Sequence, residues 1–161
     1  MADDPLATYL SDHLAGAVAG LELATKLSDD NAGTPLGDAL GGLRADIDAD
    51  KATLERLMED VGVPRSPVKR AGATVIEKLG RLRFHEQVTG SGALSRLLEM
   101  ESLAAGIQGK EALWRALAAV APSRPELSAV PLEELAERAR QQRATLEPHR
   151  LAAAHEALAG D

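Results

Sequence analysis

Cysteine is absent from this 161-residue chain, and aromatic residues nearly so, with one Phe, one Tyr and one Trp. Without cysteine there is no disulfide framework, no thiolate metal ligand and no cysteine nucleophile. β-Branched residues are also few, at 8 Val, 3 Ile and 7 Thr. Pleated sheets draw on those side chains, so a sheet-based fold has little to build with. No uncharged run exceeds nine residues, too short to cross a bilayer, so no membrane partner is expected. The start, Met1-Ala2-Asp3-Asp4-Pro5, is acidic and lacks the basic-then-apolar layout of a signal peptide, which makes the cytoplasm the expected compartment. Basic charge is in deficit: 18 Lys and Arg stand against 25 Asp and Glu, a net charge of −7. Such a surface does not attract nucleic acid over any large area, and none is expected as a partner. Only residues 61–90 run the other way, with six bases against two acids.

What the chain has in abundance is 30 Ala and 25 Leu, the strongest helix formers. Asp4-Pro5, Thr34-Pro35, Ser66-Pro67 and Val130-Pro131 each set a proline where a first helical turn begins and its missing N–H costs nothing. The pattern predicts a single all-α domain over 1–161, with helices at about 5–28, 35–61, 67–82, 92–120 and 131–158. On the second, Leu36, Leu40, Leu43, Ile47, Leu54, Leu57 and Val61 follow alternating steps of four and three, and Asp50 alone breaks the series. On the first, Gly16, Gly20 and Ala24 recur every four residues, a spacing that lets a neighbouring helix come close. Short loops join the first two and the last two long helices, so each pair is expected to fold as an antiparallel hairpin, the two forming a four-helix bundle. The intervening 30 residues carry the short helix, Arg65, Lys69, Arg70, Lys78, Arg81, Arg83 and Phe84. Their length favours a connection that crosses the bundle, with the third long helix parallel to the second.

A hairpin ending Leu57-Met58-Glu59-Asp60-Val61-Gly62-Val63-Pro64, a long connection and a second hairpin together resemble the ferritin-like superfamily. The likeness is nearest to its small, uncharacterised bacterial members associated with stress responses. It lies in helix layout and covers nearly the whole chain. Membership implies a di-iron or di-manganese site, built from one Glu on each of two helices and Glu-x-x-His on the other two. No Glu-x-x-His occurs; the last helix offers Glu147-x-x-Arg150 instead. The ligand motif is not retained, and no cofactor is expected, with Fe or Mn the alternative.

The polar residues that helical periodicity assigns to the interior pose the functional question. His13 lies on the stripe of Leu6, Leu10 and Ala17, and Asp50 is equally central on its helix. Arg143 and Arg150 are placed on the stripe of Leu132, Leu135, Ala139, Leu146 and Ala153. Glu101 and Gln108 are placed on that of Leu94, Leu98, Ala105 and Ala112. In an antiparallel hairpin, residues whose numbers share a sum lie level. That predicts interior pairs His13–Asp50 and Glu101–Arg150, with Gln108 level with Arg143. Their roles are register-fixing ion pairs, a degenerate metal site, or the lining of a pocket for a small molecule of unknown identity. Leu103, Ile107, Trp114 and Leu117 fall on the other face of that helix, so either the helix bends there or that face is covered by the connecting helix or by another subunit. The expected function is therefore a non-catalytic bundle acting through association, as a homodimer. The alternative is a divergent metal-binding relative involved in oxidative-stress protection.

Overall fold

Each helix begins and ends where local chemistry supplies a reason. The computed structural model describes residues 4–64 and 92–159, and these are helical apart from short connections and ends. Helix α1 (Pro5–Asp30) is capped by Asp4, whose carboxylate accepts from the Leu6 N–H at 3.1 Å, with Pro5 in the first turn. Helix α2 (Pro35–Asp60) is capped by Thr34, whose hydroxyl accepts from the Gly37 N–H at 3.1 Å. Such caps satisfy N–H groups that the helix itself leaves free. Gly37 must be glycine, because an added Cβ would collide with the Asn31 carbonyl. At the far end of α2, Gly62 takes a φ of +73°. The Val63 N–H then donates to the Met58 carbonyl at 2.8 Å, and the Gly62 N–H to that of Glu59 at 3.0 Å. This double closure with a left-handed glycine stops a helix cleanly.

Helix α3 (Gly92–Val120) is followed by two short 3-10 turns, Ala121–Ser123 and Pro125–Leu127, and α4 (Leu132–Leu158) continues through Pro148. The short helix expected over 67–82 and the basic side chains from Arg65 to Arg83 lie outside the described residues. Among the described residues no helix is long and apolar enough to cross a membrane.

The core has two halves. At one end Leu23, Leu27, Leu40 and Leu43 pack with Leu97 and Met100. At the other, Leu10, Leu14, Leu54 and Leu57 pack with Trp114 and Leu117. Helix α1 packs against α2, α3 against α4, and α1 against α3, while α2 meets α4 more lightly. The end-to-end sharing means that α2 and α3 run in the same direction and α1 runs against α3. In register, Leu40, Leu43, Ile47, Leu54 and Leu57 of α2 answer Met100, Leu103, Ile107, Trp114 and Leu117 of α3. Every one of these ten is buried.

That register corrects the sequence-based face of α3. Leu94 and Leu98 are half-buried, while Ala105, Ala112, Glu101 and Gln108 are exposed. The bulkier stripe faces the core because burying Leu, Ile and Trp is worth far more than burying Ala. Trp114 is thus an interior residue at 1% exposure and does not mark a second, subunit-covered face. The close approach expected along Gly16 and Gly20 is not made either. An added Cβ at either position meets no described atom within 4 Å.

Candidate functional site

The two core halves meet at a polar layer. Asp50 of α2 is 1% exposed, and it occupies the position where the heptad of α2 would place a leucine. In the parallel register the same level of α3 carries Lys110, whose Nζ donates to Asp50 Oδ2 at 2.5 Å. Helix α4 contributes two donors. Arg138 Nη2 donates to Asp50 Oδ1, and Gln142 Nε2 donates to Oδ2 at 3.2 Å. The Gln142 carbonyl in turn accepts from Lys110. Four side chains from three helices thus close one network around a single carboxylate. A buried carboxylate is costly alone and tolerable when charged donors saturate its lone pairs. Burial pushes Lys110 below the usual lysine range; Asp50 opposes that shift and Arg138 adds to it.

The other buried acids follow the same rule. Glu99 of α3, 4% exposed, accepts from Lys26 of α1 at 2.8 Å. Burial lowers Lys26, but its bonds to Asp30 and Glu99 outweigh that and leave it raised. Glu111 of α3 accepts from Arg143 of α4 at 3.2 Å and from Arg115 at 3.4 Å. Each of these acids is tied to a cation on another helix, which pins helix register as well as neutralising charge.

The sequence-predicted residues fare unevenly. His13 and Asp50 do line one cavity, at one level of the bundle. They form no bond, because the Asp50 oxygens are already taken by Lys110, Arg138 and Gln142. His13 instead stacks edge-on against Tyr9, ring centres 4.6 Å apart. Glu101 and Arg150 do meet, at 3.3 Å, but on the surface: the Glu101 side chain is 46% exposed, and Arg150 also binds Glu147 at 2.7 Å. These contacts raise Arg150 above its ordinary value, the Glu147 hydrogen bond foremost. Gln108 is exposed, and Arg143 pairs with Glu111 rather than with it. The inward stripe of α4 runs through Leu135, Ala139, Gln142 and Leu146. Arg143 therefore flanks it by one residue, and Arg150 carries its guanidinium out to Glu101 and Glu147. Lys110, Arg138 and Gln142 were missed. The signal for Lys110 lay in the heptad Leu103, Ile107, Lys110, Trp114, and for Gln142 in the three-and-four steps from Leu135.

The di-metal centre that the ferritin resemblance implies does not fit these residues. The Asp50 carboxylate at the junction of the core halves is saturated by two cations and an amide, and guanidinium and ammonium groups repel a metal ion. Among the described residues no cluster of three or more His, Asp or Glu is placed to hold one. No protein-family model, curated protein or solved structure matches the chain.

Burial, opposed by the Asp12 charge, lowers His13 from its ordinary value of 6.5. The unfolded chain then binds the proton more readily than the folded one, so stability is intact above about pH 6.5 and declines as pH falls below it. His13→Gln removes this component. Between about pH 7.5 and 5.5 its melting temperature falls less than that of the wild type; parallel declines in differential scanning calorimetry would contradict the assignment.

Proposed function

We propose that this chain is a metal-independent, non-catalytic bundle with the ferritin-like helix order, acting as a binding module in the cytoplasm. The observation that carries this reading is the saturation of Asp50 by Lys110, Arg138 and Gln142, which puts protein cations where a ferritin relative holds metal. The shared direction of α2 and α3 supports the helix order. A homodimer, the partner first expected, has lost its motive, because Leu103, Ile107, Trp114 and Leu117 face the interior. The reading therefore centres on binding within the bundle.

Metal titration tests it directly. A ligand that binds only the folded state must raise the melting temperature. Mn²⁺, Zn²⁺ and anaerobic Fe²⁺ at millimolar excess are expected to leave it unchanged, and protein purified without chelator to carry no stoichiometric metal. A rise of about 3 °C or more that disappears in Asp50→Asn would overturn the reading in favour of a divergent metal-binding protein.

A further inference from the structure

Beside the polar layer, between α1, α2 and α3, lies a cavity of about 200 Å³. Gly16 and Gly20 of α1 and Gly106 and Gly109 of α3 line it, together with Trp114, and His13 and the Asp50–Lys110 pair also border it. Glycine inside a helix costs about 1 kcal/mol relative to alanine. Two ordinary reasons for accepting that cost are close helix packing and a left-handed backbone. Neither applies, since none of the four has a positive φ and an added Cβ at each meets no described atom within 4 Å. Gly16 and Gly106 are exposed, so the cavity opens to the surface there, and together the four leave it wide on two helices at one level. A cavity of about 150 Å³ already admits a benzene ring.

Three features describe what would fill it. Most of the lining is apolar, with Ile47, Leu54, Leu103 and Leu113 completing it. The bordering charges are paired or turned to water: Asp50 is matched by Lys110, Lys51 by Glu55 at 2.8 Å, and Asp12 is exposed, while burial favours uncharged His13. Finally, Trp114 stands behind the lining at 1% exposure, with its indole Nε1–H closed off from the cavity space. An occupant is therefore held by apolar contact and not by a hydrogen bond from that indole.

We propose that this cavity binds one compact, uncharged, mainly apolar molecule of one or two rings. The proposal rests on the metal-independent reading, because a metal ion at Asp50 would leave the cavity floor charged.

The full chain is titrated with benzyl alcohol, and in parallel with benzoate and benzylammonium as charged counterparts of the same size. Benzyl alcohol is expected to raise the melting temperature saturably, with the two ions at least tenfold weaker. Because Trp114 is the only tryptophan, heavy-atom quenching of its fluorescence by 4-iodobenzyl alcohol reports occupancy and is expected to saturate. Gly16→Leu combined with Gly106→Leu fills the space and is expected to weaken benzyl alcohol at least tenfold; Gly20→Met provides the same comparison if the double variant does not fold. Absence of a saturable response in the wild type, or undiminished binding in a folded filled variant, overturns the proposal. A thermal response to metals with none to benzyl alcohol overturns both readings, whereas silence toward metals and benzyl alcohol alike overturns this one alone.

Discussion

Asp50→Asn is expected to destabilise the fold by about 3 kcal/mol, lowering the melting temperature by about 10 °C. The substitution removes the charge that Lys110 and Arg138 share, and leaves the Lys110 ammonium, whose side chain is only 14% exposed, with only the weaker influence of Asp46 to oppose its charge. Arg138, with 38% of its side chain exposed, can turn its guanidinium to water, which keeps the loss at the lower end of what breaking a buried ion pair costs. The more telling experiment removes the three innermost members of the layer and leaves the partly exposed Arg138. Asp50→Leu with Lys110→Met and Gln142→Leu replaces the three most buried polar groups of the network by apolar ones of similar size. Isosteric replacement of this kind is often neutral or stabilising, so the triple variant is expected to regain wild-type stability or exceed it. Urea denaturation of the single and triple variants measures the difference. If the triple variant is as unstable as Asp50→Asn, the network contributes packing that apolar side chains cannot reproduce, and its description as a self-neutralised register device fails.

The second large effect has the opposite sign. Alanine at Gly16, Gly20, Gly106 and Gly109 together is expected to stabilise the chain by about 3–4 kcal/mol and raise the melting temperature by about 10 °C. Each methyl enters open space among the described residues, so the gain is the helix propensity that glycine withholds, less a little for neighbouring sites that are not independent. Gly37→Ala supplies the contrast. There the new methyl meets the Asn31 carbonyl, and an overpacked site costs about 1–3 kcal/mol. The same exchange thus raises stability at four helical positions and lowers it at a fifth. A quadruple variant that melts below the wild type would mean that these glycines serve the fold itself and not an open cavity. By narrowing the cavity, the four methyls should also weaken benzyl alcohol binding.

The helices and their ends were legible because the information is local. Asp4-Pro5 and Thr34-Pro35 announce first turns, and Gly62-Val63-Pro64 announces a stop; the side-chain and backbone bonds at those places are the ones such residues make in any helix. Asp50 was legible as well, since a carboxylate interrupting a heptad of leucines is conspicuous on one helix alone. Its partners were not. A carboxylate at the centre of a stripe states that some donor must meet it, and leaves open which helix provides the donor. His13 was a reasonable reading under hairpin pairing alone. The parallel register of α2 and α3 brought Lys110 to the same level instead, and an ammonium offers three donors and a full charge where a buried imidazole offers one donor and none.

The face of α3 divides the two kinds of knowledge most sharply. Large apolar side chains lie on both sides of that helix, so periodicity admits two stripes and amphipathicity cannot rank them. One stripe carries Ala105 and Ala112 with Glu101 and Gln108; the other carries Met100, Leu103, Ile107, Trp114 and Leu117. Only when three other helices compete to bury area does the heavier stripe win, and with it the supposed dimer face becomes the interior. The glycines follow the same logic: their four-residue spacing is visible along the chain, but spacing cannot say whether a neighbour fills the gap. Helical class, helix limits and the presence of an interior charge follow from local backbone and side-chain chemistry. Which charges meet and where space remains depend on the mutual register of four helices, because those contacts join residues that the chain keeps up to 92 positions apart.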